Sequence, residues 1–356
     1  MVQPEPVASL DALIRLGDRY AALGLRNAAA AAYERAAGAT RDAPTPSRRL
    51  AELLLEAGDA RAARRHADEL LKRAPGPESR LLAARVLVAC GEYAAARFAF
   101  ASIIEASGVD GRERAAAFLG RAEVAARESD VAGAAAHVAA ALEELLRAPD
   151  ASVTAEVARL ADEIAARASS LGHGAELRAR VREHAGPAPG PVHDLLGAAL
   201  LASDQAHGAT DIADADIEAA LERALAADPG SRPLRLRLAL RLSRRRYRDV
   251  QARARAIALL ETLAGELQAE PGELARVHFL LAGLMEDDPA SRPLAEEAYR
   301  AGLKLRPRHG AAANNLALLA LSQGQPARAR VELARALRLD ADSDVAWLNA
   351  ARLLDA

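Results

Sequence analysis

Apolar and small residues recur along this chain at fixed offsets. Leu13, Leu16, Gly17, Tyr20, Gly24, Ala29, Tyr33 and Ala36 form the first set. It returns as Leu50, Ala51, Leu54, Gly58, Ala63, Ala67 and Leu70, and again as Ala83, Ala84, Leu87, Gly91, Ala96, Phe100 and Ile103. The period is about 34 residues, in the range of repeat architectures. Within each half of a set the apolar positions fall three or four apart, the spacing of one helical face. Gly24, Gly58 and Gly91 mark helix ends, where a left-handed residue costs other side chains about 1–2 kcal/mol. The pattern predicts pairs of helices, none able to bury its apolar face alone, stacked on their neighbours. Small residues belong where the helices of a pair touch, and large ones fill the gaps between pairs.

A fourth unit covers 115–148, with Phe118, Ala122, Ala125, Ala134, Val138 and Ala141 in place and Ser129-Asp130 at the turn instead of Gly-Asp. Residues 152–184 keep a helical period but fit the pattern poorly, and Gly172-His173-Gly174 is expected to separate their two helices. The segment 185–191, Ala-Gly-Pro-Ala-Pro-Gly-Pro, is predicted to be non-helical, a hinge or subdomain boundary. Repeats resume at Leu196-Gly197, with Ile217, Leu221, Ala224 and Leu225 completing a unit around a polar insertion at 205–216. A further unit, about 232–273, is expected to end at Pro271-Gly272. In it Leu234, Leu236, Leu238, Leu240 and Leu242 alternate as a strand would, but the flanking helical phase favours a helix. Strict spacing returns with Phe279, Ala282, Gly283, Ala295, Tyr299, Gly302 and Pro307, repeated by Ala313, Leu316, Ala317, Ala329, Leu333, Ala336 and Ala341. One further helix carries Trp347, Ala350, Ala351 and Leu354, with Trp347 expected to pack near Leu333 and Leu337.

This pattern resembles the tetratricopeptide repeat over nearly the whole chain. The resemblance implies an all-α solenoid, a right-handed superhelix of antiparallel helical pairs with a C-terminal capping helix. The expected organisation is an array of about five pairs over 1–184, the hinge 185–191, and about four pairs plus the capping helix over 192–356. The resemblance also implies a non-catalytic scaffold or adaptor whose concave groove binds a peptide or helix of a partner protein.

Composition adds little to that and excludes a good deal. Half the residues are apolar (51%) but only 3% aromatic, so small side chains carry the packing. A formal net charge of -2 supplies no general attraction for nucleic acid or an anionic membrane. Lys72 and Lys304 are the only lysines among 47 basic residues, a bias expected of a bacterial protein from a GC-rich genome. Cys90 is the one cysteine, which excludes an internal disulfide. The first ten residues do not read as a secretory signal, and no apolar run is long enough to span a bilayer, so a cytoplasmic location is expected. The eight histidines are scattered, with no metal motif, phosphate loop or nucleophile elbow, so neither catalysis nor a cofactor or metal is expected.

Binding is the remaining chemistry. In the repeat family the first helix of each pair lines the groove, where an asparagine can both donate to and accept from a ligand backbone. Asn315 and Asn349 recur one repeat apart, each ahead of a small pair, with Asn314 beside the first. Leu280, Leu281, Leu284, Leu318 and Leu348 are placed as their apolar surroundings. At the other end Arg15, Arg48, Arg49 and Arg85 are placed as contacts for an acidic ligand, although Ile14, Arg15 and Asp18 depart from the family's carboxylate clamp. Two alternatives stay open: a regulator binding nucleic acid or an acidic protein through the Arg-rich stretch 232–255, and a structural oligomer built by self-association.

Overall fold

The computed structural model describes residues 9–22, 24–39, 43–147, 152–185, 189–209 and 212–354. They form nineteen α-helices and, among the described residues, no strand. The all-α, paired-helix architecture expected from the repeat is the one observed. By compactness the chain divides into residues 1–18 with 26–238, and residues 19–25 with 239–356.

The first unit begins with α1 (Leu10–Ala22) and α2 (Arg26–Ala39), followed by α3 (Pro44–Glu56) with α4 (Ala60–Arg73), α5 (Pro77–Ala89) with α6 (Tyr93–Ile104), and α7 (Gly111–Arg127) with α8 (Val131–Leu146). Two turns in this stretch combine a left-handed helix end with a capping aspartate. Gly58 lies at φ 81°, and Asp59 after it caps α4 by accepting the Ala62 N–H at 2.9 Å. Ser129 adopts the same left-handed conformation, φ 64°, and Asp130 caps α8 through the Gly133 N–H. The Gly-Asp and Ser-Asp dipeptides are therefore one motif, a left-handed helix end followed by an N-cap. Packing follows the predicted division of sizes. Ala63 and Ala67 let α3 and α4 approach, and Leu70, Leu82 and Val86 fill the space toward the next pair. Phe100 and Ile103 do the same beside Ala84, Ala96 and Ala117.

Next come α9 (Ala155–Ser170) and α10 (Gly174–Ala185), with Gly172 at φ 78° between them, then α11 (Pro191–Ala206) and α12 (Asp214–Ala227). The segment expected to be wholly non-helical is shorter than predicted. Ala185 closes α10, and Pro191 opens α11 at a position where the missing N–H has no intrahelical partner to lose. Residues 186–188, the middle of the expected hinge, lie outside the described residues. Pro271 likewise opens a helix, at the boundary where the preceding unit was expected to end. A tie between distant parts of the unit departs from neighbour-only stacking. The Val153 N–H donates to Asp228 Oδ2 at 2.8 Å, and Ser231 Oγ donates to the Val153 carbonyl at 2.8 Å. Arg237 pairs with Asp162 and donates to the Ala158 carbonyl at 2.6 Å.

Arg237 stands on α13 (Arg232–Ser243), so the alternating leucines form a helix as expected. The second unit contains α14 (Val250–Glu266), α15 (Pro271–Met285) with α16 (Arg292–Leu305), α17 (Gly310–Ser322) with α18 (Pro326–Leu339), and α19 (Asp344–Leu354). Ala282, Tyr299, Leu303, Ala312 and Leu316 form one core here, and Ala317, Ala329, Leu333 and Leu353 the next. Trp347 contradicts its expected packing. It is 57% exposed, with its Nε1–H donating to the Ala341 carbonyl at 2.8 Å. The face of α19 turned toward Leu333 and Leu337 carries Ala346, Ala350 and Leu353, so the indole lies outside that contact. Phe279, two turns into α15, sits where a Cβ on Gly302 of α16 would fall 2.4 Å from its ring.

Candidate peptide-binding grooves

In the first unit, α3, α5, α7 and α9 are the first helices of four consecutive pairs, and they pack side by side. Side chains from all four enclose a cleft of about 410 Å³. Leu81, Leu82, Ala116 and Leu119 supply its apolar surface. Arg48, Glu52, Glu78 and Arg85 line it from α3 and α5, and Glu123, Glu156, Arg159, Glu163 and Arg167 from α7 and α9. Most of these charges are paired with each other. Arg48 bonds Glu78, Arg167 reaches Glu123 at 3.2 Å, and Arg159 reaches Glu163 at 2.5 Å. Arg85 is exposed and has no ion-pair partner among the described residues.

Of the four arginines read from the sequence, the cleft brings Arg48 and Arg85 together. Arg49 turns to Asp18 at 3.5 Å and Glu52 at 3.6 Å, and Arg15 is exposed on α1, outside the cleft lining. The acidic and basic residues of α9 were missed because 152–184 fit the repeat poorly, leaving its groove positions without a register. Their i, i+4 spacing, Arg159 and Glu163, was the available signal.

The asparagines of the second unit have a different setting from the one expected. Asn349 is 3% exposed and Asn314 6%, and Asn349 Nδ2 donates to Asn314 Oδ1 at 2.9 Å. Asn314 Nδ2 donates to Asn315 Oδ1 at 3.3 Å, Asn315 Nδ2 to the Tyr299 hydroxyl at 3.0 Å, and that hydroxyl to Glu286 Oε2 at 2.5 Å. Burial raises the Glu286 carboxyl above its usual range, and burial with the carboxylate contact raises the Tyr299 hydroxyl. Asn314 and Asn349 are therefore not solvated groove side chains; their amides join α17 to α19. Leu281 and Leu284 are also buried, since the inward face of α15 is wider than the repeat spacing indicated. Leu280 is half-buried, Leu318 is exposed, and Leu348 is 53% exposed. Val345 and Leu348 continue the exposed apolar surface along α19.

The Arg-rich stretch is largely committed internally. Arg235 and Arg241 are buried, Arg237 holds Asp162, Arg245 reaches Asp249 at 2.5 Å, and Arg246 lies over the Tyr247 ring at 4.5 Å. Among the described residues no group of His, Cys, Asp or Glu is arranged to hold a metal ion, and no helix is long and apolar enough to cross a membrane.

No protein-family model and no curated protein matches the sequence. Solved structures with similar helices include MamA from Desulfovibrio magneticus, at TM-score 0.42 and 16% identity over 54% of this chain and 99% of that one. A tetratricopeptide repeat protein from Parabacteroides merdae aligns at TM-score 0.38 and 11% identity, over 88% of this chain and 97% of that chain. A thermophilic repeat protein from Thermus thermophilus aligns at TM-score 0.33 and 21% identity, over 66% and 99%. The paired-helix architecture stands on the chain's own packing.

Proposed function

We propose that this chain is a non-catalytic interaction scaffold of the tetratricopeptide type, which takes a peptide segment or helix of a partner protein on the face made by its first helices. The observation that carries this reading is the cleft on α3, α5, α7 and α9, apolar at Leu81, Leu82 and Leu119 and rimmed by both signs of charge. Such a cleft suits a segment that buries apolar side chains and exchanges ion pairs with Arg48–Glu78 and Arg85, since rim charges select partners more than they add affinity. Leu318, Leu348 and Asn315, part of the surface read from the sequence, form with exposed Val345 a strip that is a second place for such a segment. A cytoplasmic bacterial setting, read from composition, and a role in assembling a complex, implied by the repeat resemblance, belong to the same proposal. The committed arginines of 232–255 do not favour the nucleic-acid alternative.

A fluorescent peptide library mixed with the purified chain tests the assignment. Bound sequences are then re-measured on Arg48→Glu/Arg85→Glu and on Leu318→Ser/Leu348→Ser. Loss of about tenfold or more in the arginine pair alone places the segment in the first cleft. Loss in the leucine pair alone moves it to the other strip, and a library with no binder rejects the scaffold reading.

A further inference from the structure

A second, larger cavity of about 600 Å³ lies in the first unit between α10, α11 and α12, away from the cleft of the first helices. Its open space lies over Gly197 of α11. Gly17, which follows Leu16, lies against Tyr33, and a Cβ there would come within 2.4 Å of the ring. Gly120, which follows Leu119, also faces a ring, that of Phe100, whereas Gly283 meets only the Tyr299 hydroxyl at 3.9 Å. Gly197 follows Leu196 in the same dipeptide, yet a Cβ on it would meet nothing within 4 Å. The space that a ring fills beside Gly17 and Gly120 is open here, walled by Val181, Leu201, Ala219 and Ala220. It has the volume of a small-molecule site.

The charges at its edge sort into used and unused. Arg178 is bonded to Asp204, and Arg223 grips Asp194 through Nε at 2.9 Å and Nη2 at 2.8 Å. Asp194 is itself buried. Burial, with nearby His184, lowers the pKa of His193 below its ordinary range. That leaves Arg182 on α10 and Asp216 on α12, both exposed and neither with an ion-pair partner among the described residues. One free cation and one free anion stand on the two helices that flank the apolar space.

We propose that this cavity is a binding site for a small zwitterion with an apolar body, of the size of an amino acid to a short peptide. Arg182 takes its carboxylate, Asp216 its ammonium group, and the space over Gly197 its apolar side chain. Charge-assisted contacts of this kind fix orientation, while the apolar walls supply the burial.

Calorimetric titration of the full chain with leucine, phenylalanine and the dipeptide Leu-Leu tests the site. N-acetyl-leucine and leucinamide, each lacking one charge, serve as paired controls. At least one zwitterion is expected to bind, with the blocked analogues weaker by about tenfold or more. Arg182→Gln and Asp216→Asn should lower affinity by a similar factor. Gly197→Leu places a side chain into the open space and replaces a helix-interior glycine, so it should keep the thermal midpoint or raise it while abolishing binding. Three outcomes overturn the proposal: no zwitterion binds, the blocked analogues bind equally well, or binding survives unchanged in folded Gly197→Leu.

Discussion

Asn314 and Asn349 show what single residues say and what they withhold. Their recurrence one repeat apart was visible in the sequence, and it was taken as a pair of solvated amides waiting for a ligand. Spacing fixes the face of a helix but not what the neighbouring helix places opposite, and here the neighbour is the other asparagine. Removal should therefore be felt as instability. Asn349→Ala leaves Asn314 Oδ1 buried without its donor, and chemical denaturation should show a loss of about 1–3 kcal/mol. An unchanged midpoint would return Asn349 to the solvated role first read for it. His309 gives a pH-dependent counterpart. Its Nδ1 accepts the Ala312 N–H at 3.1 Å as the N-cap of α17, and its ring lies 4.3 Å from that of Phe279. Burial and Arg306 lower its pKa below the ordinary 6.5. The folded state thus prefers the neutral ring. Its contribution is fully present above about pH 6.5 and is lost as pH falls through the depressed folded value. The unfolding midpoint should drop on acidification from pH 7.5 to 5.5, and less so in His309→Asn, which keeps a capping oxygen that does not titrate.

At the scale of elements, the sequence was most legible where glycine and aspartate meet. The turn after α3 follows from Gly58-Asp59, and the substitution at Ser129 pinpointed a residue in a conformation it does not favour. Ser129→Gly should stabilise the α7–α8 pair by about 1 kcal/mol, measured as a raised denaturation midpoint. No gain would mean that the left-handed conformation there carries no strain. Gly17→Ala should act oppositely, because the new methyl collides with the buried Tyr33 ring; a loss of about 1–3 kcal/mol is expected by the same measurement. Less was legible where proline was concerned. Pro191 and Pro271 were taken as breakers, but proline breaks only a helix already under way and starts one readily. Trp347 was misplaced for another reason: Leu333 and Leu337 are met by Ala346, Ala350 and Leu353 of α19, and the repeat spacing did not fix which face of that last helix turns inward.

For the whole molecule, periodicity conveyed the paired-helix plan and the contents of most interfaces, since each repeat buries similar side chains against its neighbour. It could not convey the links that ignore the period. Val153 meets Asp228 and Ser231, and Arg237 meets Asp162, because residues 152–184 leave the repeat register and present their loop to a later turn. The first cleft was half-legible on the same account, its α3 and α5 side found and its α9 side missed. Asp228→Ala should speed amide hydrogen exchange at Val153, whose N–H loses its acceptor, while helices of the second unit keep their rates. Exchange at Val153 as slow as before would show that the tie is not held by this bond.

The amides and hydroxyl running from Asn349 to Glu286 all donate in one sense, toward the carboxylate. Such a line has a direction, and each link can be satisfied only if the helix before it stands at the right height. Interfaces of alanine and leucine are forgiving of a slip by one helical turn, since the next turn offers nearly the same surface. A one-turn slip of α19 along α17 would keep most of that greasy contact and strand two buried amides. The seam of polar groups in the second unit therefore works as a ruler more than as glue, rejecting the near-miss alignments that a repetitive sequence otherwise invites.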